Sequence, residues 1–300
     1  MTDNQYLESV IKTQCLSAEE LKELEQHRLE IESLLREKIG SKPIIKYAGS
    51  KAKGTMIKEN YDLDMVCYFL SDEGRTLKEL YEYVKGILSA KYIVEPKASA
   101  LRIKAQSNGS KIDYHIDVVP GKFIDETQKD VFLYVSTAEK ERLKTNIKKH
   151  IVYISESNYK DVIKIVKLWR TRNNLRIKTF VLEILVVETL NDEKGLSLSE
   201  ATICVLNNIY ENIRSLKLVD PANSNNVLSD ILSPSDKTLF SNKAKEALDI
   251  INDSSIDRVE KWKMVLQYPF SSDQSRSAPA VCIKREPVGS WCSDVNRNDQ

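Results

Sequence analysis

Asp62 and Asp64 stand two residues apart in an apolar, β-branched run. On an extended strand their carboxylates leave from one face while Leu63 points the other way. A third carboxylate, Asp117, lies in a second β-rich run, 111–119, which a neighbouring strand would bring to the same spot. Paired carboxylates suit Mg²⁺, and three together can hold two divalent ions that grip a triphosphate and activate a hydroxyl. Asp113 and His115 share the alternating face of Asp117, which sets His115 at the edge of this group.

Upstream, Gly49-Ser50-Lys51-Ala52-Lys53-Gly54-Thr55 follows the apolar run Ile44-Ile45-Lys46-Tyr47-Ala48. Gly49 lets the backbone turn sharply and approach a ligand, its amide and that of Ser50 can face phosphate oxygens, and the Ser50 hydroxyl adds a donor. Gly49 and Gly54 have the spacing of a Walker A loop, but Thr55 stands where that loop needs Lys followed by Ser or Thr, so the match fails. Taken singly, the Gly-Ser step also reads as an ordinary turn and Asp-x-Asp as a solvated strand end. The conjunction with a lone Asp on a later strand is what points to a site.

These residues need a scaffold, and the sequence outlines an α+β one. Ser17-Ala18-Glu19-Glu20 is a capping box opening a helix with apolar Leu21, Leu24, Ile31, Leu34 and Leu35 that stops near Gly40. Strands are predicted over 44–48 and 62–70, a helix over 76–89, and strands over 91–94, 99–106 and 111–119. Asn108-Gly109 reads as the hairpin turn that pairs the last two antiparallel. Helical periodicity then dominates, over 137–150, 158–173, 179–192, 198–215, 236–252 and 255–267. The expected organisation is a catalytic lobe with a mixed sheet and an N-terminal helix (1–130), a helical lobe (131–270), and a disordered polar tail (271–300), with Trp291 beside Cys292 able to dock.

Composition sets bounds. A chain of 300 residues, 41% apolar, can build two lobes with a real core around a cleft. The net charge of +1 demands no nucleic-acid partner, yet residues 139–178 carry twelve Lys or Arg against four Asp or Glu. That band would attract a polyphosphate, or else form a solvated helix face. The five cysteines are odd in number and scattered, with no Cys-x-x-Cys, which implies a reducing, cytoplasmic setting. Three dispersed histidines assemble no zinc site. No stretch reaches the roughly 18 apolar residues needed to cross a membrane.

The set Gly49-Ser50, Lys53-Gly54-Thr55, Asp62-x-Asp64 and Asp117 resembles the polymerase-β-like nucleotidyltransferase superfamily. Within it the likeness is to the branch of 2′-5′-oligoadenylate synthases, animal cyclic GMP-AMP synthase and the bacterial cyclic-oligonucleotide synthases (CD-NTases) of anti-phage CBASS systems. Lys164-Ile165-Val166-Lys167-Leu168-Trp169 is similar to the family's first long helix of the second lobe, and Ile177-Lys178-Thr179-Phe180-Val181-Leu182-Glu183 to its next helix start. Asp220-Pro221-Ala222-Asn223-Ser224-Asn225-Asn226-Val227 is similar to a stretch of the bacterial enzymes, with Ser224 in place of a second Pro; the bare residues read as turn and cap chemistry that shapes the lobe interface. The resemblance spans 44–268.

The resemblance implies an active site in the cleft between the lobes, with Asp62, Asp64 and Asp117 catalytic and metal-holding. Gly49, Ser50, Lys53, Lys164, Lys167, Lys178 and Thr179 would face the triphosphate. Phe180 would stack on the donor base, or else belong to the core. The implied cofactor is Mg²⁺, with Mn²⁺ as substitute; the zinc-binding, DNA-reading insertion of the animal enzyme is absent, so neither zinc nor direct nucleic-acid binding is expected. The implied activity joins ribonucleoside triphosphates, ATP among them, into a cyclic di- or trinucleotide second messenger in antiviral defence, with a product-binding effector and a regulatory protein as partners. A linear 2′-5′-oligoadenylate synthase, a small-molecule or protein nucleotidyltransferase and an inactive nucleotide-binding scaffold are the alternatives.

Overall fold

Ser17 caps its helix as the sequence pattern requires: its hydroxyl accepts from the Glu20 amide while the Glu20 carboxylate accepts from the Ser17 amide at 2.7 Å. In the computed structural model, which describes residues 1–106, 111–137 and 141–267 (without the side chains of 106 and 111–113), that helix is the second element. The expected Asn108-Gly109 turn, the side chains of Lys111 and Asp113, Cys282 and the 271–300 tail with Trp291 and Cys292 lie outside the described residues.

In chain order the elements are α1 (Asp3–Thr13), α2 (Ala18–Ile39), β1 (Ile44–Tyr47), α3 (Gly49–Lys53), β2 (Asp62–Phe69), α4 (Leu77–Ser89), β3 (Tyr92–Pro96), β4 (Leu101–Gln106), β5 (Lys111–Phe123), β6 (Val131–Tyr134) and β7 (Arg142–Thr145). There follow α5 (Ile147–Ser155), α6 (Lys160–Arg172), α7 (Thr179–Leu190), α8 (Leu198–Asn212), β8 (Val219–Asp220), β9 (Asn223–Val227), α9 (Pro234–Asn252) and α10 (Arg258–Val265). The fold is α+β.

The sheet runs β1-β2-β5-β4-β3, extended by β6 on β5 and β7 on β6. It is mixed because β2 and β5 pair parallel while the other neighbours pair antiparallel. β2 is buried along its length after Asp62, as a strand covered on both faces must be. Its odd positions, Leu63, Met65, Cys67 and Phe69, pack with Leu24 and Leu35 of α2 and Leu80 and Val84 of α4. Its even positions Val66 and Tyr68 join Ala48, Val119 and Leu133 on the opposite face. Asp62 and Asp64 share that second face by the strand's alternation, so both turn away from α2 and α4.

Three expectations change. Residues 137–150 were expected to be one helix; the described part forms β7 and then the start of α5, because β6 supplies a partner strand and Asn146 caps α5 by accepting from the Lys149 amide. The sheet therefore continues to Thr145, past the division expected at residue 130. α1, unassigned from sequence, opens with a Thr2/Gln5 capping box and buries Tyr6, Leu7, Val10 and Ile11 in the same cluster as Trp169, Leu182, Val205 and Phe240 of the later helices. The Asp220–Val227 stretch is an antiparallel β8–β9 pair. No helix among the described residues is long and apolar enough to cross a membrane.

Candidate active site

The parallel register of β2 on β5 sets Asp64 directly opposite Asp117, and Asp62 opposite His115. Adjacent strands present directly opposed side chains to one face, so the three acids occupy one patch of sheet. Gly49 closes the patch from the side. Its φ is +55°, and a β-carbon built on it would lie 1.6 Å from Asp64 Oδ2 and 2.8 Å from Asp64 Cβ. No side chain larger than hydrogen fits there, which is why a glycine must follow β1. The expected Gly49-Ser50 turn is thus the first turn of a short helix, α3, pressed against β2, with Ser50 buried.

Burial and mutual repulsion make two of these acids harder to ionise. Burial, then the neighbouring Asp117, push Asp62 up to about 7 from 3.8, against the pull of Arg102, Lys167 and Arg170. Burial, then Asp62 and Asp117, push Asp64 well above the usual carboxylate range. Oδ1 of each is buried with no hydrogen-bond partner; His115 Nδ1 stands 4.0 Å from Asp62 Oδ1. Asp117 differs: the Arg102 guanidinium grips it at two points, Nε to Oδ1 and Nη2 to Oδ2, each 2.8 Å. Among the described residues no three His, Cys, Asp or Glu side chains enclose an ion site. Of the three acids expected to hold metal, Asp117 alone is already engaged by a cation.

Even so, the donor set fits a divalent ion. Buried carboxylate oxygens without bonds are costly, and a hard cation satisfies them while making the ionised form the stable one.

The cations expected at phosphate divide into two groups. Lys53 and Lys167, 3% and 1% exposed, are committed to the interior. The Lys53 ammonium bonds the Glu183 carboxylate, whose other oxygen accepts from Thr55 Oγ1 at 2.5 Å; Lys167 donates to the Thr55 carbonyl at 2.7 Å and lies 3.7 Å from Glu183. Burial holds Lys167 down at about 8. Burial would raise Glu183, but Lys53 and Lys167 more than offset it and leave the carboxylate below its usual range. This cluster ties the end of α3 to α6 and α7. Lys53 therefore serves the loop, while Lys167 also acts electrostatically on Asp62.

The second group is more open. Lys178 occupies the N-cap position of α7 and is partly exposed, as is Thr179. Thr179 Oγ1 accepts from Arg170 at 3.0 Å, which leaves its own hydroxyl hydrogen free to donate outward. Lys164 pairs with Asp161 on its own helix at 3.0 Å. Phe180, 4% exposed, is core: its ring lies 4.4 Å from that of His150 and the Lys53 ammonium 5.3 Å from its centre. His150 Nε2 in turn meets Asp220 Oδ1 at 2.6 Å, joining α5 to β8.

Sequence reasoning assigned no role to Arg102 or Glu183. Each is a lone charge in an apolar run, Ala100-Leu101-Arg102-Ile103 and Val181-Leu182-Glu183-Ile184. That is a readable signal, since such charges are buried only when paired.

No protein-family model matches the sequence, and no curated protein does. Solved structures do match. CdnC of E. coli MS115-1 with ATP superposes with a TM-score of 0.69 at 18% identity, covering 89% of this chain and 98% of that one; a second structure of CdnC is a complex with HORMA-deltaN. The cyclic dinucleotide synthase CdnE of Elizabethkingia meningoseptica, with GTP and Apcpp, matches at 0.59 and 19% identity, covering 76% and 92%. The Cid1 poly(U) polymerase bound to MgATP matches at 0.67 and 11% identity, covering 88% and 98%. The likeness establishes that this chain shares the fold of these structures.

Two outcomes follow from this geometry. Glu183→Gln removes the carboxylate charge that Lys53 and Lys167 share in the interior, so chemical denaturation should show a loss of about 3–5 kcal/mol. Asp62 has a folded-state pKa of about 7 against 3.8. Its contribution is therefore fully present below pH 3.8 and lost as pH rises through 7. Urea denaturation in chelator should show stability falling across that window by on the order of a few kcal/mol, less steeply in Asp62→Asn.

Proposed function

We propose that this chain is a Mg²⁺-dependent nucleotidyltransferase of the CD-NTase type that joins ribonucleoside triphosphates into a cyclic di- or trinucleotide, releasing pyrophosphate. The observation that carries the reading is the row of acids in parallel register, Asp64 opposite Asp117 with Asp62 beside them, closed by a glycine that only hydrogen fits.

Asp62, Asp64 and Asp117 would hold the divalent ions. When bound, those ions neutralise the triphosphate and lower the pKa of an acceptor ribose hydroxyl. The chain's own residues supply position and charge, the main resource of phosphoryl-transfer catalysis. Gly49 and Ser50, at the start of α3, lie against Asp64 and offer backbone amides and a hydroxyl to phosphate oxygens. Lys178 and Thr179, at the N-terminus of α7, offer a cation, a hydroxyl and the positive end of a helix dipole. Lys53, Glu183 and Lys167 keep α3 and α7 at a fixed separation, so both halves of the phosphate site stay aligned. The acceptor hydroxyl then attacks the α-phosphate in line.

ATP is the first donor to test, because ATP is bound in the CdnC and Cid1 structures. The CdnC complex with HORMA-deltaN supports a regulatory protein partner for this chain, and a product-binding effector belongs to the same reading, as does antiviral defence. Free Cys15, Cys67 and Cys204 agree with a cytoplasmic setting. A second reading, a linear product, draws on the likeness to the poly(U) polymerase.

The test is incubation of purified protein with all four labelled ribonucleoside triphosphates and Mg²⁺ or Mn²⁺, then phosphatase treatment and mass spectrometry. A phosphatase-resistant species is expected, falling about a thousandfold or more in rate in Asp62→Asn/Asp64→Asn. Linear products would move the reading to the second form, and no incorporation with either ion would contradict both.

A further inference from the structure

The third carboxylate of the patch sits in a cross-strand row of three. β5 carries Asp117 between Asp64 of β2 on one side and Arg102 of β4 on the other, each directly opposite it in register. The row reads carboxylate, carboxylate, guanidinium. Arg102 and Asp117 are both buried, at 4% and 0% exposure, and both Asp117 oxygens accept from the guanidinium at 2.8 Å. The first two acids each keep a buried oxygen with no hydrogen bond. The patch is therefore asymmetric, with two acids open to a ligand and one already clamped.

We propose that Arg102 is a positioning residue that fixes the orientation of Asp117 and, as a permanent counter-charge, weakens ion binding in exchange for a defined third ligand. This deepens the metal-dependent reading above and rests on it.

The two effects have separate physical origins. A planar guanidinium bonded at two points holds a carboxylate against rotation about its Cβ–Cγ bond, which a single ammonium cannot do. Each carboxylate oxygen retains a second lone pair, so Asp117 can accept from Arg102 and still face an ion. The charge acts independently of orientation. Once a bound cation has ionised all three acids, they and Arg102 together sum to −2, against −3 for the acids alone, so Arg102 makes one unit of difference at the site. In a buried site that difference is weakly screened. Because Asp117 has no exposure and a strand on either side, nothing else on its row can rotate in to replace the guanidinium.

A merely structural Arg102 would weaken ion binding and turnover together when removed. A positioning residue of this kind moves them in opposite directions. The test measures Mn²⁺ binding alone, by the loss of the free-ion EPR signal, on full-length wild type, Arg102→Met and Arg102→Lys, with turnover and nucleotide KM alongside. Arg102→Met is expected to bind Mn²⁺ about tenfold tighter or more while kcat falls about tenfold or more, with KM nearly unchanged. Arg102→Lys keeps the charge and loses the two-point hold. It should bind Mn²⁺ within about threefold of wild type and still lose about tenfold in kcat, a result that decides the matter even if Arg102→Met fails to fold. Equal or weaker Mn²⁺ binding by Arg102→Met, or undiminished kcat in Arg102→Lys, would overturn the inference alone. Failure of wild type to bind Mn²⁺ at all would overturn the metal-dependent reading and this inference with it.

Discussion

The Glu183 carboxylate has no exposure to solvent, and it is shared by groups from two separated parts of the chain. Lys53 and Thr55 reach it from the end of α3, and Lys167 from α6. A charge in that position is tolerable only while all its partners are in place, since each lost partner leaves an uncompensated charge in the interior. The cluster is thus an all-or-none constraint: α3 either sits against α6 and α7 with this geometry or the interior holds a stranded ion. Lys53 lies four residues from Gly49, so the constraint passes directly to the backbone that leans on Asp64.

What the clamp holds in place is an electrostatically unfavourable patch. The sheet brings Asp62, Asp64 and Asp117 together through the β2–β5 register, and burial with mutual repulsion raises the first two above their usual range. The cations around the patch, Arg102, Lys167 and Arg170, each pull Asp62 back down, but not to its solution value. Packing elsewhere sustains the arrangement: the odd face of β2 is buried against α2 and α4, so the even face has no freedom to turn its acids to water. Such stored strain is what an arriving cation can release, which links the stability of the fold to the chemistry proposed for it.

Much of this was legible in the sequence where the signal was local. The capping box at Ser17, the alternation around Asp62 and the break after Ala48 all report on neighbours within a few residues, and the elements formed there. Nonlocal partners were not legible. Arg102 and Asp117 are 15 positions apart and Lys53 and Glu183 are 130 apart, so their charges were visible in apolar runs but their pairings were not. The same limit turned Lys53 into an expected phosphate ligand when its partner is internal. Residues 142–145 read as helix because their strand character comes only from pairing with β6, a tertiary effect that local periodicity does not carry. α1 was overlooked although Tyr6, Leu7, Val10 and Ile11 recur at helical spacing, a signal short enough to be hidden by the polar start of the chain.

The claim on which the account turns is that Asp62 and Asp64 are ion ligands beside a phosphate-facing Gly49-Ser50 step. Anomalous diffraction from crystals grown with Mn²⁺ and a non-hydrolysable ATP analogue tests it most directly. The account predicts an anomalous peak within coordination distance of Asp62 and Asp64, about 2.0–2.3 Å, with the triphosphate over Gly49 and Ser50. A peak elsewhere, or an analogue bound away from the β2–β5 acids, would contradict it.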